Sequence, residues 1–261
     1  FRRVLFRSSS NYTLCKGEIH FGQFLPTTQT PRGERYFGNT PELSFSAEQE
    51  NLDHYSSDRG IRIKDQSVVL QLDYTGQFIT DNISPENLAV FFLGENLKTT
   101  VTSTPVTGES FPDIEKGFSY QLGTSSTYPA GVRKITAFVL KKGATVLVSG
   151  VDYTVDTDLA RFTILETSVT LSNGDDLTAD YTISASTRDR IISKSSTIEG
   201  SLRFIAVNPA GANIDYFMPW VKITPNGDFA VKGEEWQQLP FTIEILKKGS
   251  LEAVYMDGRA I

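Results

Sequence analysis

Two stretches in the first third of the chain alternate apolar and polar residues. In Glu42 to Glu50, Leu43, Phe45 and Ala47 face one way and Ser44, Ser46 and Glu48 the other. A period of two predicts a strand with core on one side and water on the other. From Ile61 to Thr80 the alternation returns, with Val68, Leu70, Leu72 and Tyr74 opposed to Ser67, Gln71, Asp73 and Thr75, and with Gly76 marking a bend or bulge. Between them, Asn51 to Gly60 carries Asp53, His54, Tyr55, Ser56, Ser57 and Asp58, which reads as a long polar loop. A short helix follows. Ser84 is its predicted N-cap, Pro85 its first residue, Glu86 sits in the first turn and Gly94 is the stop, around an apolar LAVFFL body.

Elsewhere the pattern is coarser. Residues 9 to 40 read as an extended arm around one strand, Gly17 to Leu25, where Ile19 and Phe21 alternate with Glu18, His20 and Gly22. Residues 95 to 131, rich in Thr, Ser, Pro and Gly, read as a linker or excursion with a single strand at Phe118 to Leu122. From 132 to 184, short strands at Ile135–Phe138, Thr145–Val148, Asp152–Val155, Arg161–Ile164 and Leu177–Tyr181 are separated by turns such as Asn173-Gly174. Those residues are predicted to form an inserted small β-domain. The main domain, 9–131, then resumes over 185–261 with strands around Leu202–Ala206, Tyr216–Thr224 and Phe241–Ile245.

Composition narrows the function classes. At 261 residues and 39% hydrophobic the chain can build a core, and no run approaches the roughly 20 apolar residues of a membrane-spanning helix, so no membrane partner is expected. Residues 1–8, FRRVLFRS, back-translate to the end of a common short-read sequencing adapter and are read as non-native. Without Arg2, Arg3 and Arg7, the formal charge of -6 becomes -9, with 22 basic residues left against 31 acidic. The lone Cys15, read as a half-buried thiol, allows no internal disulfide and fits assembly in a reducing cytoplasm.

Catalytic signatures are missing from the sequence. It holds no GxGxxG, P-loop, GxSxG or HExxH pattern, and Cys15, His20 and His54 fall short of a zinc set. Asp152, Asp156 and Asp158 lack the glycine and distal glutamate of a calcium loop, and read as turn and strand-edge solvation. Adjacent Glu234 and Glu235 on a strand would point to opposite faces, a poor arrangement for paired glycosidase acids. Trp220 and Trp236 read as core or interface residues, and Lys141-Lys142 and Lys247-Lys248 as solvated strand ends that make no nucleic-acid patch. No enzyme activity, cofactor or metal is expected.

The order of elements in residues 34–94, with FGNTPEL, LDHYSSDRGIRIKD and DNISPENLAVFFLG, resembles the tail tube (major tail) proteins of long-tailed bacteriophages. VSGVDYTVD at 148–156 and the LTADY strand look like the extra β-module of some members. The resemblance implies a mainly β fold: a tail-tube-type β-sandwich or barrel with a flanking short helix and an inserted small β-domain. It implies a virion structural protein, made in the host bacterial cytoplasm, whose six copies close into a ring and whose rings stack into a hollow tube. Its partners would be further copies of itself and other phage tail proteins: tape measure, tail terminator and tail tip. DNA would pass through during ejection without specific binding. On this reading Asp53, His54, Tyr55, Ser56, Ser57 and Asp58 form an inter-ring loop, and Ser44, Ser46, Glu48, Gln71, Asp73 and Thr75 face the lumen. The other expectation kept open is a carbohydrate-binding or adhesin-like β-protein of a tail tip or baseplate.

Overall fold

A computed structural model describes residues 12–58 and 60–259. The adapter-like residues 1–8 lie outside that range. Along the chain run β1 (Gly17–Gln23), β2 (Arg35–Tyr36), β3 (Glu42–Ser56), β4 (Ile63–Thr80), α1 (Pro85–Phe91), β5 (Glu95–Val101), β6 (Thr104–Ile114), β7 (Ser119–Gln121) and β8 (Ile135–Lys142). Then come β9 (Thr145–Val146), β10 (Tyr153–Asp156), β11 (Arg161–Ile164), β12 (Asp175–Ile183), β13 (Ser186–Ile192), β14 (Ile198–Ala206), β15 (Ile214–Pro225), β16 (Leu239–Ile245) and β17 (Tyr255–Gly258). The protein is mainly β, with several sheets. Its chain divides into two compact units, one made of residues up to Leu97 and from Ile191 onward, the other of Lys98–Arg190.

The first unit is built on an antiparallel sheet ordered β2-β1-β14-β15-β16-β4-β3, with β17 paired to the first half of β15. In β16, Leu239, Phe241, Ile243 and Ile245 are buried while Glu244 is exposed, the alternation expected of a sheet with one wet face. Phe78 and Phe241 stack at 4.9 Å, with Phe37 edge-on to Phe78 at 5.1 Å and Phe91 of α1 edge-on to Phe241 at 5.9 Å. Helix α1 thus closes the core.

Its cap is the predicted one: the Ser84 hydroxyl oxygen accepts from the Asn87 N–H at 3.2 Å, and Pro85 opens the helix. At the other end Leu93, not Gly94, takes the left-handed φ of 49°, and the Gly94 N–H reaches the Ala89 carbonyl at 2.8 Å. Gly94 is required for space, because a Cβ there would lie 1.9 Å from the Ile192 carbonyl oxygen.

The segments RYFGN and TDNISPEN interlock through polar groups, of which Asn87 and Thr80 are buried. Asn87 donates from Nδ2 to the carbonyls of Phe37 and Asn82, both at 2.8 Å, and its Oδ1 accepts from Arg35 Nη1 at 2.7 Å. The Thr80 hydroxyl donates to the Asn39 carbonyl at 2.9 Å, and Asn39 Nδ2 donates to Asp81 at 2.6 Å. Burial lowers the Arg35 pKa, partly offset by Glu86. Gly38 sits at φ +91°, where a Cβ would fall 2.1 Å from Asn82 Nδ2, so no other residue fits without strain.

The second unit is wider than the inserted domain read from sequence, starting at Lys98 and not at 132 and ending at Arg190 and not at 184. The difference arises because β6, within the stretch read as a linker, pairs with β12 along most of its length. Its Pro105 and Pro112 are tolerated because β6 is an edge strand of the sheet β6-β12-β8-β9. A three-stranded sheet, β10-β11-β7, completes the unit around Phe162, Tyr153, Leu140 and Leu177. Strands β5 and β13, which carry the chain from one unit to the other and back, pair as a separate ribbon.

Two of the acidic residues singled out in this unit, Asp156 and Asp152, divide by role. Asp156 Oδ1 accepts from the N–H groups of Asp158 and Leu159, a turn as expected. Asp152 is instead buried, accepting from Ser168 Oγ at 2.6 Å and the Val148 N–H at 2.9 Å, and the Ser168 bond chiefly holds its pKa below the usual carboxylate value. Lys141 and Lys142 are not simply solvated, since they pair with Asp180 and Asp175, both at 2.6 Å.

Candidate assembly surface

Strands β3 and β4 are 15 and 18 residues long and pair along nearly their whole length. Strand β16 pairs with β4 only from Tyr74 to Thr80. Beyond Tyr74 the two strands continue alone as a hairpin arm, about 30 Å long at roughly 3.3 Å per residue. Every residue from Ile63 to Asp73 is exposed.

The arm replaces the expected loop. Asp53, His54, Tyr55 and Ser56 belong to β3 and pair with Ser67, Gln66, Lys64 and Ile63, leaving Ser57 and Asp58 in the turn region. Their polarity mimics a loop because a two-stranded ribbon is wet on both faces. Cross-strand bonds hold the distal end: Asp53 takes Lys64 Nζ and Ser67 Oγ, each at 2.6 Å, and His54 Nδ1 lies 2.6 Å from Asp65 Oδ1. Those bonds, Lys64 first and Ser67 next, pull the Asp53 pKa below its ordinary value. Arg62 covers the Tyr55 ring at 5.2 Å.

Residues that pair directly across strands share a face. The register sets Ser46 opposite Thr75, Glu48 opposite Asp73 and Glu50 opposite Gln71, with Ser44 opposite Gln77. Thus the structure brings Ser44, Ser46, Glu48, Gln71, Asp73 and Thr75 onto one face. The Ser46–Thr75 row continues across the sheet through Glu244, Lys222 and Glu199, while the Glu48–Asp73 and Glu50–Gln71 rows end at β4. Lys222 and Glu244 form an ion pair at 3.5 Å, and Glu199 accepts from Trp220 Nε1 at 3.2 Å. Carboxylates dominate these rows, and Glu48 directly opposite Asp73 is a repulsive pair in the isolated chain.

The expected core behind these strands ends at the base of the arm. Leu43 and Tyr74 pack on the core and Phe78 is within it, but Leu52, Ile63 and Leu70 are 61%, 62% and 59% exposed, with Val68, Val69 and Leu72 also open. Nor do Val68, Leu70, Leu72 and Tyr74 share one face. A bulge leaves Leu70 unpaired, so that Val68 pairs with Leu52 on the side that carries Glu48 and Glu50. The arm therefore presents apolar side chains on both faces.

One further expectation changes, and the two tryptophans read as core or interface residues differ in burial. Cys15 is exposed, not half-buried. Trp236 is 93% exposed, outside any core, whereas Trp220 is partly buried. Sequence reasoning missed the distal part of the arm, because a ribbon wet on both faces has the polarity of a loop. Among the described residues no three His, Cys, Asp or Glu side chains gather as a metal site, and no helix is long and apolar enough to cross a membrane.

A family model described as "Protein of unknown function UCP028589" matches residues 12–254, which span both units and the whole arm. The chain belongs to that family. A search of curated proteins found no match.

Proposed function

We propose that the chain is a structural subunit of a phage tail tube, closing with further copies, six by the resemblance, into rings that stack around a DNA-conducting channel. The observation that carries this reading is the β3–β4 arm. Isolated two-stranded hairpins are marginal in water, and this one exposes Leu52, Val68, Leu70 and Leu72 with no core of its own to cover them. A neighbouring copy would supply that cover, the distal residues Asp53 to Asp58 reaching the next ring. Strand β3 is also the free edge of the large sheet, and ring closure would use such an edge up.

The carboxylate-rich face fits a channel lining. Glu48, Asp73 and Glu244 would repel phosphate, whereas inward lysines or arginines would release counterions and hold DNA fast. Other tail proteins, the tape measure, terminator and tip, would meet the same rings. Negative-stain microscopy with sedimentation of the full chain tests the reading: rings or tubes are expected at high concentration. A species that stays monomeric at every concentration would contradict it, and glycan-array binding by that monomer would favour the adhesin-like alternative.

A further inference from the structure

We propose that the second unit holds a binding site for a small organic anion, a carboxylate on an apolar or aromatic body. The site is a half-open cavity of about 400 Å³ within that unit, a volume typical of small-molecule pockets. Val106, Val132, Ile183, Tyr128 and Tyr181 give it apolar walls, and Arg133 and Arg188 supply its cationic groups.

The two guanidinium groups are held side by side by one short segment of backbone. Arg133 Nη1 donates to the carbonyls of Ala130 and Val132 at 2.9 and 2.8 Å, while Arg188 Nη2 donates to the carbonyl between them, Gly131, at 3.2 Å. A third arginine, Arg190, is fixed beside them by the Thr127 carbonyl at 2.7 Å and by the Tyr128 ring at 5.6 Å. Each guanidinium carries five N–H donors, so these bonds orient Arg133 and Arg188 and leave donors on both for a ligand.

The carboxylate in the cavity wall is held by other donors. Glu109 is engaged by the Gly123 N–H at 2.9 Å to Oε1 and 3.2 Å to Oε2, and by the Tyr181 hydroxyl at 2.7 Å. The Arg188 pKa is lowered, first by burial and then by repulsion from Arg133 and Arg190, so an arriving anion would relieve an existing like-charge strain. Planar guanidinium forks match a carboxylate with two parallel bonds, and the tyrosine-lined wall accepts the apolar remainder.

Phenylacetate and its neutral isostere phenylacetamide distinguish charge recognition from simple filling of an apolar hole. Titrated into the full chain and followed by NMR, phenylacetate is expected to saturate with shifts at Val106, Val132 and Ile183, and phenylacetamide to bind at least tenfold more weakly. Arg188→Gln and Arg133→Gln should each weaken phenylacetate at least tenfold while circular dichroism stays unchanged. Should either variant fail to fold, the two ligands compared on the unaltered chain decide the matter. Absence of saturable binding, equal affinity for the amide, or indifference of a folded arginine variant would overturn the proposal.

Discussion

The same two strands pass through two environments. From Tyr74 to Thr80, β4 lies between β3 and β16, with Gly76, Phe78 and Thr80 buried. From Ile63 to Asp73 it has β3 alone, and nothing on it is buried. At the base, apolar positions join the core of the subunit; on the arm, equally apolar positions have only their cross-strand partners. It is these exposed apolar residues on which the proposed contact between copies rests.

Substitutions can break that comparison. Phe78→Ala at the base should destabilise the first unit by about 3–5 kcal/mol, as aromatic truncations in cores do, measured by urea denaturation. Gly38→Ala at the polar junction should cost about 2 kcal/mol or more from the left-handed φ alone, before the clash with Asn82 is counted. On the arm, Leu70→Ser with Leu72→Ser should change the unfolding midpoint of the monomer by no more than about 0.5 kcal/mol, yet abolish ring or tube formation. A large loss of monomer stability there would mean that the arm is covered within the chain.

Acid offers the gentlest contrast. Asp53 on the arm and Asp152, Asp175 and Asp180 in the second unit all have lowered folded pKa values, owing first to Lys64, Ser168, Lys142 and Lys141 respectively. Their stabilisation is present above the unfolded carboxylate pKa of about 4 and is lost as pH falls through the lower folded values. Fluorescence unfolding scans between pH 5 and 2 should show the second unit weakening in that window. The half-exposed Asp53 pair, on an arm outside the core, should change only the local exchange of the arm tip.

Much of this architecture was legible in the chain. Alternation located both long strands, and Ser84-Pro85 located the helix start, because each depends on local geometry. The arm was not legible, since Asp53, His54 and Ser56 carry loop-like polarity while pairing as a ribbon, and no pattern signals a strand that is wet on both sides. The bulge at Leu70 is equally silent, and it reassigns Val68 to the other face. Strand β6 escaped notice because its prolines are those of a linker and only its pairing with β12 makes it a strand. Of the candidate site, alternation showed which side of each strand is polar, Ser44, Ser46 and Glu48 on one and Gln71, Asp73 and Thr75 on the other, while their common face comes from the register; the arginine-lined cavity depends on residues more than fifty positions apart.

Hydrogen exchange along β4, measured in a dilute sample and again at a concentration where the protein assembles, tests the arm most directly. Amides of Tyr74 to Thr80 should be protected in both samples, and those of Ile63 to Asp73 should exchange quickly when dilute and become protected on assembly. Equal protection of both segments in the dilute chain, or fast exchange of the arm at every concentration, would contradict a role for the arm in joining subunits.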